Sequence, residues 1–148
     1  MSTNAKESAR AGTGAERGKL SGKKLGVSLT VNDLPRSLEW YRDVLGFEIL
    51  ERHEREGVLR AVSLKAGDVE LLIGRDDGAK GLNRAKGQGY SLQITTAQNI
   101  DELAEGVRQR GGTLASEPMD MPWGARVFRV QDPDGVTFVI ASERSART

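Results

Sequence analysis

The sequence contains no cysteine and only one histidine, His53. The missing cysteine excludes disulfide bonds and thiolate chemistry. The single histidine excludes a metal site in which one chain supplies two imidazole ligands. No apolar run approaches the roughly 20 residues that a membrane-spanning helix needs, and no apolar signal segment is visible near the N-terminus. We therefore expect a cytoplasmic protein that makes no contact with a membrane.

Charge is distributed unevenly along the 148 residues. Residues 1–24 carry a formal charge of +4 and only two large apolar side chains, whereas the rest of the chain carries −3. The segment 1–23 cannot bury enough apolar surface to offset the entropy of ordering it, so we predict a disordered basic tail. A second short tail is expected at 144–148. No aromatic residue alternates with the basic charges, so we expect no nucleic-acid partner.

One pattern occurs twice in the rest of the chain. Residues 25–31 and 91–96 alternate apolar and polar side chains, which predicts half-buried strands. A capped amphipathic helix follows each strand and ends at a glycine, Gly46 or Gly111. Three strands follow each helix, near 47–55, 58–66 and 69–75 in the first half and near 113–119, 125–131 and 136–142 in the second. The pattern predicts an α+β fold of two tandem βαβββ modules that form curved mixed sheets around a cleft.

The domain boundaries follow from this repeat. The folded domain spans 24–143, with module one at 24–76, a glycine- and lysine-rich linker at 77–88, and module two at 89–143. Each module is too small to bury both faces of its sheet. The face without a helix must therefore meet the other module or another chain, and a cleft between two such faces is a usual place for a small ligand. The glycines make the linker flexible enough for either pairing.

Two stretches resemble one known group of proteins. "LTVNDLPRSLEWYRDVLGF" (29–47) and "WGARVFRVQDPDGVTFVIAS" (123–142) resemble the vicinal oxygen chelate superfamily, which includes glyoxalase I, bleomycin resistance proteins, fosfomycin resistance enzymes and extradiol dioxygenases. The resemblance covers roughly residues 24–143. It implies the predicted fold and a homodimer, often with modules paired across chains. In metal-dependent members it also implies a divalent metal held in the cleft by His and Glu side chains.

The resemblance assigns four metal-ligand positions to this sequence. They fall on Gly26, Glu70, Ser91 (or Tyr90, if the alignment shifts by one residue) and Val139. Glycine has no side chain, serine is a poor ligand, and valine cannot bind a metal. The resemblance therefore implies no metal and no cofactor here, and argues against glyoxalase I, extradiol dioxygenase and fosfomycin-transferase activity. The one histidine, in the polar segment "EILERHEREG", is expected to face solvent.

The favoured function is small-molecule binding of the bleomycin-resistance type, in which a metal-free cleft sequesters an aromatic or amphipathic antibiotic or metabolite. Strand alternation, and the resemblance around Trp123, give the candidate ligand-binding residues Ser28, Thr30, Glu70, Leu72, Ser91, Gln93, Trp123, Arg126 and Val139. One alternative is a metal-independent lyase or isomerase with Glu70 as general base. Another is a non-catalytic dimerisation or docking module. Glu70 also fits a solvated acid paired with Arg60 or Arg126, and Trp123 also fits a structural plug at the end of a sheet.

Overall fold

The computed structural model describes residues 17–81 and 84–144, so most of the predicted tail 1–23 and nearly all of the tail 144–148 lie outside the described residues. The elements in chain order are β1 (Ser28–Val31), α1 (Leu34–Glu39) continued by a π-helix (Trp40–Leu45), β2 (Glu48–Arg55), β3 (Val58–Ala66), β4 (Val69–Arg75), β5 (Ser91–Thr96), α2 (Ile100–Gln109), β6 (Leu114–Asp120), β7 (Arg126–Gln131) and β8 (Thr137–Ser142). The order βαβββ occurs twice, which confirms the predicted α+β fold. No helix in the described part of the chain is long and apolar enough to cross a membrane.

Each module forms one four-stranded mixed sheet. The strand orders are β1-β4-β3-β2 and β5-β8-β7-β6, and the first strand of each module runs parallel to the last. The strand bounds agree with the predicted ones to within a residue except in β1, which begins at Ser28 instead of residue 25. Pairing with β4 begins only at Ser28. Leu25 therefore lies beyond the sheet and is 86% exposed.

The first helix changes form half-way along its length. Asp33 caps its N-terminus by accepting a hydrogen bond from the backbone N–H of Arg36. From Trp40 the helix widens into a π-helix, which apolar spacing alone does not predict. It ends at Gly46, whose φ of +96° favours glycine. The backbone N–H groups of Gly46 and Phe47 both donate to the carbonyl of Tyr41, so the wider turn is satisfied at its C-terminal end.

The helix-covered faces of the two sheets share one hydrophobic core. Tyr41 is fully buried within it, and its ring lies 5.8 Å from that of Phe138 on β8. The other face of each sheet, here called its open face, lies outside this core. The two sheets are separate and not closed on each other. The predicted cleft between modules is therefore not formed within one chain, because the modules meet through their helix-covered faces.

A hydrogen-bond network ties the modules together, and is here called the junction. The Tyr41 hydroxyl donates to Asp132 Oδ2 at 2.7 Å. Asp132 Oδ1 accepts from the backbone N–H groups of Asp134 and Val136, while Asp134 accepts from the backbone N–H of Asn32. Burial first, and then the Asp132 carboxylate, raises the pKa of Tyr41 far above its ordinary value. The phenol thus stays protonated and remains a donor.

The linker belongs to the same junction. Lys86 Nζ donates to Asp76 Oδ2 at 3.0 Å and to Asn32 Oδ1 at 2.7 Å, and its side chain is only 8% exposed. A Cβ on Gly87 would lie 2.5 Å from the carbonyl oxygen of Gly135. Lys86 and Gly87 of the linker thus lie against module one and module two respectively.

Candidate functional site

Four of the candidate residues lie on the open face of the first sheet: Ser28, Thr30, Glu70 and Leu72. Ser28 pairs with Leu72, and Lys65 pairs with Glu70. The residues that alternate with them, such as Leu29 and Leu71, are buried in the core. Because side chains alternate along a strand, the predicted register of β1 and β4 is confirmed.

A shallow pocket of about 170 Å³ lies at this face. It is lined by Lys24, Gly26, Val27, Ser63, Leu64, Glu70, Leu71 and Leu72. Glu70 Oε1 accepts from Lys24 Nζ at 3.2 Å, and both side chains are substantially exposed. The carboxylate therefore pairs with Lys24 and not with Arg60 or Arg126. Exposed ion pairs contribute about 0–1 kcal/mol, so a ligand displaces Lys24 at little cost.

The single histidine also lies at this open face. His53 pairs with Ala61 across the sheet, and its Nε2 lies 2.9 Å from Ser63 Oγ. His53 points away from the core, as its polar segment predicts, and is half-buried there. Its contact with Ser63 does not follow from alternation, because β2 has irregularities at Ile49/Glu51 and at His53/Glu54 that break the period of two. Ser63 lines the same pocket as Glu70.

The open face of the second sheet is different in character. Gln93 pairs with Val139, which in turn pairs with Arg129, and Ser91 lies two residues before Gln93. Val139 is 9% exposed and belongs to a small apolar cluster apart from the main core. This cluster, here called the second-sheet patch, consists of Ala125, Val127, Val139 and Ala141, with Met121 packed against it. Trp123 lies in the turn between β6 and β7, between Met121 and Ala125 in the sequence. Its side chain is 48% exposed.

Two arginines of β7 have opposite surroundings. Arg126 lies on the helix-covered side and is bound by Asp101 at 2.9 Å and by Asp120 at 3.1 Å. The hydrogen bonds that Arg126 donates to Asp101, and then to Asp120, raise the pKa of its guanidinium. Arg126 therefore does not join the other candidate ligand-binding residues. Arg129, three residues along the strand, lies on the open face beside Val139.

The four metal-ligand positions do not form a metal site in this chain. Gly26 and Glu70 lie at the first sheet, whereas Ser91 and Val139 lie on the second. Within residues 17–81 and 84–144, no group of three or more His, Cys, Asp or Glu side chains could hold a metal ion. One carboxylate with a glycine, a serine and a valine does not fit a divalent cation, which needs several nitrogen or oxygen ligands. Tyr90, the alternative position, is about half exposed.

Comparisons with known proteins agree with this fold. A family profile described as the Glyoxalase/Bleomycin resistance protein/Dioxygenase superfamily matches residues 25–140. The chain is 30% identical over 129 residues to a lactoylglutathione lyase of Neisseria meningitidis serogroup A, covering 82% of this chain and 91% of that one. It is 28% identical over 120 residues to lactoylglutathione lyase GLX1 of Arabidopsis thaliana, where it covers 77% of this chain but spans only 42% of the relative.

A solved structure shows the same likeness. A member of the Glyoxalase/bleomycin resistance protein/dioxygenase superfamily from Sphaerobacter thermophilus matches with a TM-score of 0.61 and 25% identity, over 83% of this chain and 98% of that one. The similarity thus extends over most of this chain and nearly the whole of that one.

Proposed function

We propose a function for this chain from the premise that it belongs to the Glyoxalase/Bleomycin resistance protein/Dioxygenase superfamily. The chain acts as a binding protein that sequesters an aromatic or amphipathic small molecule, such as an antibiotic or a metabolite, without a bound metal. The observation that carries this proposal is Val139. Where the resemblance expects a carboxylate ligand, the chain has an apolar side chain buried with Val127 and Ala141. An apolar patch favours an apolar ligand and gives a metal ion no lone pair.

The relatives named lactoylglutathione lyase point towards a metal-dependent reaction instead. Three of the four ligand positions here, Gly26, Ser91 and Val139, supply no strong metal donor. Sequence identity near 30% fits a shared fold with a changed site, because one fold hosts several chemistries. We therefore favour binding over lyase activity for this chain.

The first test is metal content. We expect the purified protein to contain no stoichiometric Zn²⁺, Ni²⁺, Mn²⁺ or Fe²⁺ by elemental analysis. About one metal ion per chain, removable only by strong chelation, contradicts the proposal.

A thermal-stability screen of metals, antibiotics and aromatic metabolites then identifies the ligand class, because a ligand at 100 times its Kd adds about 2.7 kcal/mol to the free energy of unfolding.

We propose that the complete site forms in a homodimer. Within one chain the two open faces lie outside the shared core, and residues such as Glu70 and Val139 belong to separate sheets. Pairing the first sheet of one protomer with the second sheet of its partner encloses two symmetry-related clefts, each with Trp123 at its rim. Light scattering is expected to give a dimer mass at micromolar concentration. A monomer mass under those conditions contradicts this arrangement.

A second candidate function is a metal-independent enzyme with Glu70 as general base. The position of His53 and Ser63 favours it, because acid–base catalysis needs a second group, and this hydrogen-bonded pair lies at the same open face as Glu70. Glu70→Gln distinguishes the two functions, since loss of turnover with retained ligand binding indicates an enzyme.

If native mass spectrometry and the thermal screen find no ligand at all, the chain is instead a dimerisation or docking module.

A further inference from the structure

Arg129 differs from the other arginine of its strand in having no partner within residues 17–81 and 84–144. Its guanidinium forms no hydrogen bond or ion pair with any residue that the structure describes, whereas Arg126 is bound by two carboxylates. Arg129 is nonetheless half-buried. A guanidinium stays charged at every physiological pH. Partial burial of an unpaired charge is unfavourable, so this side chain is suited to receive an anion.

The neighbours of Arg129 indicate what kind of anion fits. Its cross-strand neighbours are Val139 on one side and Ser116 on the other. Ser116 Oγ is buried and has no hydrogen-bond partner among the described residues. Beyond Val139 lies the exposed amide side chain of Gln93. One row across the sheet thus presents the guanidinium of Arg129 and the amide of Gln93, with the apolar side chain of Val139 between them, while the Ser116 hydroxyl lies buried beside Arg129.

The second-sheet patch lies directly beside this row. Val127 is two residues before Arg129 on the same face of β7, and it pairs with Ala141. Met121 packs against this patch, and the half-exposed Trp123 lies two residues farther along the chain, in the turn before β7. A ligand that follows the sheet therefore meets a positive charge at one end and an apolar surface at the other. One guanidinium matches a singly charged carboxylate, which it binds through two parallel hydrogen bonds.

We propose that Arg129 is a ligand-binding residue and that the site takes an aromatic carboxylate, with the carboxylate on Arg129 and the ring over the second-sheet patch. This inference rests on the proposed ligand-binding function and names the class of ligand. Arg129 pairs with Val139, one of the four positions at which the resemblance places a metal ligand. The carboxylate oxygen atoms of the ligand meet the guanidinium there.

The test compares two probes that share one ring. 2-Naphthoate carries a carboxylate, and 2-naphthamide is its neutral analogue of similar shape. Calorimetry on the full chain at low salt is expected to show that naphthoate binds about tenfold more tightly than naphthamide, as a charged hydrogen-bonded pair implies. Arg129→Gln is expected to abolish this preference and to leave naphthamide affinity within about twofold of the original. Arg129→Lys keeps the charge without the planar fork, and is expected to retain only part of the preference.

Arg126→Gln is the matched control, because it removes an arginine of the same strand from the opposite face. It is expected to leave the preference unchanged. In an NMR spectrum of the wild-type protein, the Arg129 Nε–H signal is expected to shift with naphthoate and not with naphthamide. If both probes bind the wild-type protein equally, or if Arg129→Gln keeps the preference for naphthoate, the assignment of Arg129 is wrong. The proposed ligand-binding function is not contradicted by that result. If neither probe binds, an aromatic ligand site is wrong as well.

Discussion

The junction between the modules and the open face of the second sheet differ in whether their polar groups have hydrogen-bond partners. At the junction, Tyr41, Asp132 and Lys86 are buried, and each has a hydrogen-bond partner. On the second sheet, Arg129 on the open face and its cross-strand neighbour Ser116 carry polar atoms that have no partner among the described residues. The same chain thus pairs its polar groups in one region and leaves some of them unpaired in another.

This difference separates residues that hold the fold from residues that are free for a ligand. A polar group that is satisfied inside the protein contributes to stability, and its loss leaves a buried partner unpaired. A polar group without a hydrogen-bond partner inside the protein lowers the free energy of unfolding. A ligand that pairs with this group on binding raises the free energy of unfolding again. We therefore expect mutations at the junction to lower the free energy of unfolding. Mutations at the open face should change ligand affinity with little effect on folding.

The largest effect is expected for Asp132→Ala. This carboxylate is 5% exposed and accepts three hydrogen bonds, from the Tyr41 hydroxyl and from the backbone N–H groups of Asp134 and Val136. Alanine leaves these donors buried without an acceptor, so the free energy of unfolding is expected to fall by about 3 kcal/mol in chemical denaturation. Asp132→Asn keeps an acceptor oxygen and is expected to cost less. Equal stability of Asp132→Ala and wild type would show that the junction does not hold the modules together.

Tyr41→Phe is expected to have an intermediate effect. The substitution keeps the ring, which contacts Trp40, Phe47 and Phe138, and removes only the hydroxyl. We expect a loss of about 1.5 kcal/mol, because the buried Asp132 loses its one side-chain donor. A double-mutant cycle with Asp132→Ala, which removes the acceptor, measures the coupling between the two side chains. A coupling energy near zero would contradict the direct bond between them.

The fold was predictable from the sequence because its signals are local. Alternation fixes the bounds of β3, β4 and β5, and caps and glycines fix the two helices. The π-helix at Trp40–Leu45 was not predictable in this way, since it places Tyr41 against Phe138, which lies 97 positions later in the chain. The contact between the modules is not predictable in this way either, because it is set by tertiary packing of residues far apart in the chain, such as Tyr41 and Asp132.

The candidate site was only partly predictable. The open-face positions of Glu70 and Gln93 follow from alternation, and the structure agrees with them. The resemblance around Trp123 points to Arg126 and says nothing of Arg129. The strand β7 reads "RVFRVQ", with apolar residues on both faces, so the strand itself does not show which face is covered. Two residues three apart must lie on opposite faces. Only the contact of Arg126 with Asp101 on α2 shows which of the two arginines belongs to the helix-covered side.

The smallest effect on stability, and the sharpest comparison, is expected for the two arginines of β7. Arg126→Gln breaks bonds to Asp101 and Asp120 and is expected to lower the melting temperature measurably. The carboxylates of Asp101 and Asp120 then lose the hydrogen bonds that Arg126 donates. In the wild-type protein these bonds hold the pKa of the Asp101 carboxyl below its usual range. Arg129→Gln breaks no bond to a described residue, so its free energy of unfolding is expected to stay within about 0.5 kcal/mol of wild type. Thermal denaturation of both variants without ligand checks this order. If Arg129→Gln is the more destabilising of the two, Arg129 has a structural partner, for example across the dimer interface, and is not free for a ligand.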